Sequence, residues 1–364
     1  MRSLVVGAGI LGTWIATRLL EQGHEVIHVE QDASPRGASI QNLGLIWISG
    51  RAPGRELALA RGARERWVRQ HDLWPELPFR PAGSLTLPAG RLEAEALEAA
   101  AALPDAEERG LGLLGAGTIA TRFGYAARGA GLLGAYDAVT EPREVLGVMR
   151  RYLARDPLYR FQPSMGVIAC DEREAVLADR ARVPFDTAFF ATGTAELASL
   201  GFDDGNRLVR TQLQMLETEV ATDRLEPAVA DADSLRYYPA YASIRALLPP
   251  QDPLAKEHAA QLLMVRRTSG ALTIGDTHEP AGAPFLRADI EDYLRGRAEA
   301  VLGLALPPTA TRWLGCYAQL APADPEVYFV THPHPNVTWV TGLAGRGMTI
   351  APEVAHEVVT EVCT

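Results

Sequence analysis

Gly7-Ala8-Gly9-Ile10-Leu11-Gly12 is a G-x-G-x-x-G run. Its chemistry belongs to the backbone. The first glycine permits a tight turn, the second lets the main chain approach a pyrophosphate, and the third lets a helix pack against a strand. The first N–H groups of that helix then face the phosphates with the positive end of the helix dipole. Glu30 ends the next apolar run, with Gln31 after it. A carboxylate there accepts hydrogen bonds from both ribose hydroxyls and repels a 2′-phosphate. These residues predict a dinucleotide without that phosphate.

A second glycine-rich run, Thr341-Gly342-Leu343-Ala344-Gly345-Arg346-Gly347-Met348-Thr349, closes the chain. NAD and FAD share the first fingerprint, and the second run favours FAD. An FAD is long enough to need one site for its ADP half and another for its ring. Backbone N–H groups of such a loop can stabilise the N1–O2 edge of a reduced flavin.

The elements follow from these motifs. Leu4-Val5-Val6 is a strand, Gly9 to Gly23 a helix with apolar residues at helical spacing, and Glu25–Val29 a second strand. Helices are predicted over 55–72, Leu92–Leu103, Arg143–Leu153, 287–302 and Pro352–Val362. Strands are predicted over Ser84–Leu87, Thr187–Ala191, Gln214–Glu219, Leu262–Arg266, Leu272–Gly275, Val327–Val330 and Val337–Gly342. Ala135–Pro142 reads as turn-rich. His332-Pro333-His334-Pro335 reads as a turn between two strands, without the third partner a metal would need. The class is α/β: a Rossmann-type βαβ unit at the start, mixed strands in the middle, and a strand, glycine loop and helix at the end.

Composition sets limits. At about 150 residues per domain, 364 residues make one large or two interleaved domains. With 47% hydrophobic and 22% charged residues the chain has material for a core and is not disordered. A net charge of −10 argues against general nucleic-acid binding. The single lysine is Lys256; the other basic residues are arginine. The 3 cysteines show no metal or disulfide spacing, and no apolar run is long enough for a membrane helix. A cytoplasmic protein without nucleic-acid or membrane partners is expected; the oligomeric state stays open.

The chain resembles the FAD-dependent D-amino acid oxidase superfamily, within it the glycine oxidase/sarcosine oxidase group. The likeness runs over nearly the whole length. It rests on Val5–Gly12 with Glu30, Gly37-Ala38-Ser39, Ala191-Thr192-Gly193, Ile274-Gly275-Asp276-Thr277, Trp313-Leu314-Gly315 and Gly342–Gly347. Ser39-Ile40-Gln41-Asn42-Leu43-Gly44-Leu45-Ile46-Trp47, Leu213–Leu216, Tyr238-Pro239-Ala240 and Thr273–Glu279 look more like a branch linked to aminophosphonate metabolism.

The resemblance implies two interleaved domains: a Rossmann-type FAD domain from 1–79, 142–211 and 308–364, and a mixed-sheet α+β substrate domain from 80–141 and 212–307. It implies amine oxidation, with hydride passing from the carbon bearing nitrogen to flavin N5. The imine then hydrolyses, and molecular oxygen reoxidises the flavin to give hydrogen peroxide. Val167, Ala38, Ser39, Asn42, Leu43 and Gly44 join the glycine runs, Ala191, Thr192, Met348 and Thr349 as cofactor-binding candidates. Cys316 falls where sarcosine oxidases attach the flavin covalently; a buried core cysteine is the alternative reading.

This chain departs from the family at the substrate. The carboxylate-binding arginine of glycine oxidases is Tyr317 here. The sarcosine oxidase cations near Trp47 and Thr349, and the oxygen-activating lysine near Thr273, are missing. Arg346, Arg51, Arg266 and Arg267 are the candidates for holding a carboxylate or phosphonate through guanidinium forks. His278, beside Asp276, is a candidate for the charge in oxygen reduction. Trp47, Tyr238 and Tyr241 are candidate pocket walls. Three readings remain at this stage: an oxidase of a small anionic amine, a flavin dehydrogenase with another electron acceptor, and an FAD-retaining protein without turnover.

Overall fold

The computed structural model describes residues 1–220, 227–282 and 285–363. The strand Arg2–Val6 is buried from Ser3 onward, as a strand covered on both faces must be. It lies between Glu25–Val29 and Thr187–Phe190, parallel to both, with Val5 opposite His28 and Phe189. Tyr159–Gln162 and Val337–Thr341 extend this sheet in parallel, and Phe329–His334 closes one edge antiparallel. Helices Ile10–Glu21 and Arg55–Leu73 both pack on the last helix, Gly347–Cys363. Trp14 and Trp67 meet edge-to-face between them, with ring centroids 5.1 Å apart.

A nine-stranded mixed sheet forms the second layer. Its spine is the long antiparallel pair Leu208–Val220 and Thr309–Leu320. Ala271–Gly275 pairs along the other side of Leu208–Val220, and Leu263–Arg266 follows it. The first residues of Leu208–Val220 fall in the 142–211 stretch that the resemblance assigns to the FAD domain. Thr309–Leu320, within the 308–364 stretch assigned to the same domain, pairs with it along its length. The strand Thr309–Leu320 escapes a propensity reading because Gly315 and Cys316 interrupt it. Gly315 has a spatial reason: a Cβ there would stand 2.6 Å from the Gln41 carbonyl oxygen.

The mixed α/β class predicted from the sequence is the observed one. Three local expectations need correction. Within the turn-rich passage, Ala138–Thr140 is a buried strand between Leu45–Ile46 and Phe79–Arg80. His332–His334 does not turn: it completes Phe329–His334, with an irregular register between Thr331 and His334. The final helix starts at Gly347, ahead of Pro352. A proline supplies no N–H to the carbonyl four residues back, here that of Met348. The buried Trp67 indole donates to that carbonyl instead, at 2.9 Å. Among the described residues no helix is long and apolar enough to cross a membrane.

Candidate functional site

The glycines of the first motif are fixed by contact as well as by conformation. Gly7 adopts φ +102, and a Cβ on it would lie 2.5 Å from the Ala191 carbonyl oxygen. A Cβ on Gly12 would lie 1.9 Å from the Gly7 carbonyl oxygen. The turn can therefore press against strand and helix only with glycine at both places. Ser39 Oγ accepts from Ile10 N at 3.0 Å, tying the segment after the second strand to the helix start. That helix carries no acidic residue in its first turn, which leaves its positive end open to an anion.

Glu30 Oε2 accepts from Ala8 N at 2.7 Å, and Oε1 from Asp32 N at 3.1 Å. Each oxygen keeps a further lone pair. Glu30, Gln31, Val167, Ala191, Thr192 and Gly193 line one end of a cleft with Gly7, Gly9, Ile10 and Leu11. This part encloses about 550 Å³. Gly342, of φ +72, stands beside it. The buried Thr192 Oγ1 has no hydrogen-bond partner among the described residues. Gly12 and Gly44 do not line the cleft. Gly44 serves the chain path, since a Cβ there would meet the Thr140 carbonyl oxygen at 2.2 Å.

The cleft continues. Ile10, Ala38, Ser39, Tyr317, Ala344 and Gly347 border both this end and a second chamber of about 710 Å³ beneath the mixed sheet. Asn42, Leu43, Cys316, Gly345, Met348 and Thr349 line the second chamber. Thr349 Oγ1 accepts from Trp47 N at 2.9 Å, which fixes the closing loop against the Trp47 segment. An elongated cleft with a phosphate-type turn at one end and a glycine-rich helix start at its middle fits an extended dinucleotide bearing a second ring. It leaves the rest of the second chamber, around Arg51 and Asp276, as a far chamber for a small molecule.

The far chamber is polar at selected points. Arg51 is buried, at 7% exposure. Its guanidinium lies over the Tyr238 ring, 5.5 Å from the centroid, and Nη1 is 3.4 Å from Glu56 Oε1. Its Nε has no partner among the described residues, nor has the buried Trp47 Nε1. Trp47 stacks on Tyr238 at 5.9 Å. Arg346 reaches the same Glu56, Nη1 to Oε2 at 2.9 Å. Two cations thus share one carboxylate. Arg346 also donates from Nε to Leu343 O at 3.1 Å and from Nη2 to Val327 O at 2.7 Å. Its Nε, Nη1 and Nη2 are thus each engaged, on Leu343 O, Glu56 and Val327 O.

The segment that carries Arg51 is held from behind. Asp137 Oδ1 accepts from Ile48 N and Ser49 N, and Oδ2 from the Ser49 and Ser84 hydroxyls. Arg109 Nη1 donates to the Arg51 carbonyl at 2.5 Å, and Tyr241 Oη to that of Ser49 at 3.0 Å. Tyr241, expected as a wall, is therefore a support. Glu56, Asp137, Arg109 and Tyr237 carry no motif. The sequence offers only the closeness of Glu56 to Arg51 as a signal for them.

Across the chamber stand Asp276, Gln261, His278 and Tyr237. The His278 ring lies 4.1 Å from that of Tyr237, and its Nε2 3.9 Å from Asp276 Oδ2. Burial raises the Asp276 carboxyl above its ordinary range. Burial, reinforced by the neighbouring Tyr237, also raises the Tyr317 phenol. Cys316 is partly buried, and burial raises its thiol too.

Arg266 and Arg267 are not among the residues lining this chamber, against the expectation that they flank it. Arg267 points into the protein. It donates to Thr273 Oγ1 at 2.7 Å, Leu43 O at 2.6 Å and Thr140 O at 3.3 Å. Burial lowers its pKa to about 10, so it stays charged at neutral pH.

A sequence profile of the DAO family, described as FAD dependent oxidoreductase, matches residues 2–361. No curated protein sequence matches the chain. Several solved structures share the fold. Glycine oxidase from Bacillus cereus superposes with a TM-score of 0.79 at 14% identity, covering 99% of this chain and 94% of that one. Iminodiacetate oxidase from Chelativorans sp. BNC1 gives 0.74 at 22% identity, covering 100% and 95%. L-alpha-glycerophosphate oxidase from Mycoplasma pneumoniae, solved with FAD bound, gives 0.77 at 15%, covering 100% and 94%.

Proposed function

The chain belongs to the DAO family of FAD-dependent oxidoreductases, and from that premise we propose that it oxidises the C–N bond of a small anionic amine. The reading is carried by one observation. The far chamber holds a buried, preorganised arginine, Arg51, whose Nε has no partner among the described residues. A carboxylate or phosphonate oxygen supplies that partner. The substrate class is an amino acid or an aminoalkylphosphonate, as the branch resemblance of Ser39–Trp47 suggests. The relative from Chelativorans is by its name an oxidase of iminodiacetate, a secondary amine bearing two carboxylates.

In this reading Gly7, Gly9 and the helix start at Ile10 hold the pyrophosphate. Glu30 takes the ribose hydroxyls, Val167, Thr192 and Gly193 flank the ADP half, and Asn42, Leu43 and Gly345–Thr349 surround the ring. Bound FAD supplies a two-electron acceptor. The protein supplies orientation: Arg51 and the Trp47 indole N–H fix the anion, and Tyr238 and Tyr317 wall the chamber. The domain division is proposed along the two sheets, with the cleft between them.

Molecular oxygen is the proposed electron acceptor, with hydrogen peroxide as product. Thr273, near the place of the family's lysine, carries the Arg267 guanidinium on its hydroxyl. A second reading, transfer to another acceptor, is favoured by the same contact, because Arg267 is already opposed by Glu141 at 3.6 Å. The test is an anaerobic flavin spectrum titrated with glycine, sarcosine, D-alanine, 2-aminoethylphosphonate and its N-methyl derivative. Bleaching by at least one is expected, and persistent oxidised flavin with all five defeats the proposal. Admitting oxygen then separates the two acceptors by the rate of recovery.

A further inference from the structure

The far chamber is polarised. At one end Arg51 and Arg346 share Glu56, and Trp47 Nε1 adds a buried donor without a partner among the described residues. At the other end the groups are acceptors. Asp276, 6% exposed, follows the strand Ala271–Gly275. Its Oδ1 accepts from Gln261 Nε2 at 3.0 Å, and Gln261 Oε1 is buried with no partner among the described residues. Asp276 Oδ2 stands 3.9 Å from His278 Nε2, beyond direct hydrogen-bond reach. Tyr237 lies between the ends: the charges of Asp276, Arg51 and Arg346 all act on its phenol. Donors face one way and acceptors the other, over a span that one tyrosine bridges.

Such a chamber is complementary to a small molecule with an anion at one end and N–H donors at the other. We propose that Asp276, assisted by the Gln261 amide oxygen, receives the ammonium group of the substrate and takes one proton from it. This rests on the amine reading given above. The step balances: R–NH3+ and the Asp276 carboxylate become R–NH2 and the Asp276 carboxylic acid. The nitrogen lone pair, held by that proton in the ammonium form, is then free to push out the electron pair of the neighbouring C–H bond.

The environment suits this role. A carboxyl raised by burial is a stronger base than an exposed one, which favours its taking a proton from an ammonium group held beside it. The titratable groups facing it are His278, Tyr237, Tyr238 and Tyr317, with Arg51 and Arg346 across the chamber. Burial raises all three phenols, so they stay protonated in the range where Asp276 works. Asp276 is thus the carboxylate placed for the amine.

The test uses the holoenzyme, Asp276→Asn and Arg51→Met. Dissociation constants are measured by calorimetry for two matched pairs: 2-aminoethylphosphonate against propylphosphonate, and glycine against propionate. In each pair a methyl group replaces the ammonium. Asp276→Asn is expected to weaken the amine of the preferred pair about tenfold or more and leave its methyl analogue within about twofold, while Arg51→Met weakens both. Anaerobic reduction by the active amine should fall about 100-fold at pH 7 in Asp276→Asn and recover as pH rises and the free amine loses its own proton. Equal effects on both members of the pair, or unchanged reduction at pH 7, overturn the assignment. If the wild type is reduced by no amine, the amine reading fails and this one falls with it. If it is reduced and Asp276→Asn behaves like it, only the Asp276 assignment fails.

Discussion

At the scale of single residues, Arg51 and Arg346 look alike in sequence and differ in bonding. Arg51 keeps a buried N–H without a partner among the described residues, so Arg51→Met should raise the Michaelis constant about 10- to 100-fold, the worth of a charge-assisted hydrogen bond. Steady-state kinetics check it; an unchanged constant removes Arg51 from the site. Arg346 is spent on Leu343 O, Val327 O and Glu56. Sequence alone keeps both Arg346 and Arg51 as candidates for holding the anion. The bonds of Arg346 shift that expectation: Arg346→Ala should chiefly loosen the closing loop, seen as lower melting temperature and weaker FAD retention. Cys316 has a thiol raised by burial, poorly suited to act as a thiolate. Acid precipitation should therefore release the flavin to the supernatant, and a yellow pellet would contradict this.

At the scale of elements, the last helix depends on a contact from another helix. Trp67→Phe removes the indole N–H from the Met348 carbonyl that Pro352 cannot serve. A loss of about 1–3 kcal/mol in urea unfolding is expected. Adding Pro352→Ala restores a backbone N–H four residues on, so the double variant should regain part of that stability. Equal stability of single and double variants would show that the indole bond does not stand in for the missing amide. The first helix depends on Gly12 in the same way. Gly12→Ala puts a Cβ 1.9 Å from the Gly7 oxygen, and the purified protein should lack flavin.

At the scale of the whole molecule, His28 links acid stability to the nucleotide turn. It lies buried with Nε2 3.1 Å from Gly7 O and Nδ1 2.9 Å from Tyr159 Oη. Burial lowers its pKa from 6.5 to about 4. Between those values the unfolded chain binds a proton that the folded one refuses. The stabilisation is therefore full above 6.5 and is lost as pH falls towards 4, at about 1.4 kcal/mol per pH unit. Denaturation at pH 7.5 and 4.5 should show a smaller acid loss in His28→Gln than in wild type. Asp137 and Asp231, raised by burial, act in the opposite sense in both proteins, so the comparison isolates His28.

The sequence by itself determined the glycine-rich turn and the acidic residue that ends the second strand. Gly7, Gly9, Gly12 and Glu30 are close in the chain, and local backbone geometry dictates their spacing, so a linear reading finds them. The strands on either side follow for the same reason: a buried parallel strand is a short apolar run. The far chamber is different. Arg51 with Glu56, Tyr237, Gln261, Asp276 and Arg346 come from loops and helix ends far apart in the chain, and no local rule spaces them. Arg267 illustrates the limit: it reads as a pocket arginine until the fold turns it onto Thr273 and Leu43. Only the tertiary structure decides which arginine keeps an open hydrogen bond, because the partners that close the others arrive from distant parts of the chain.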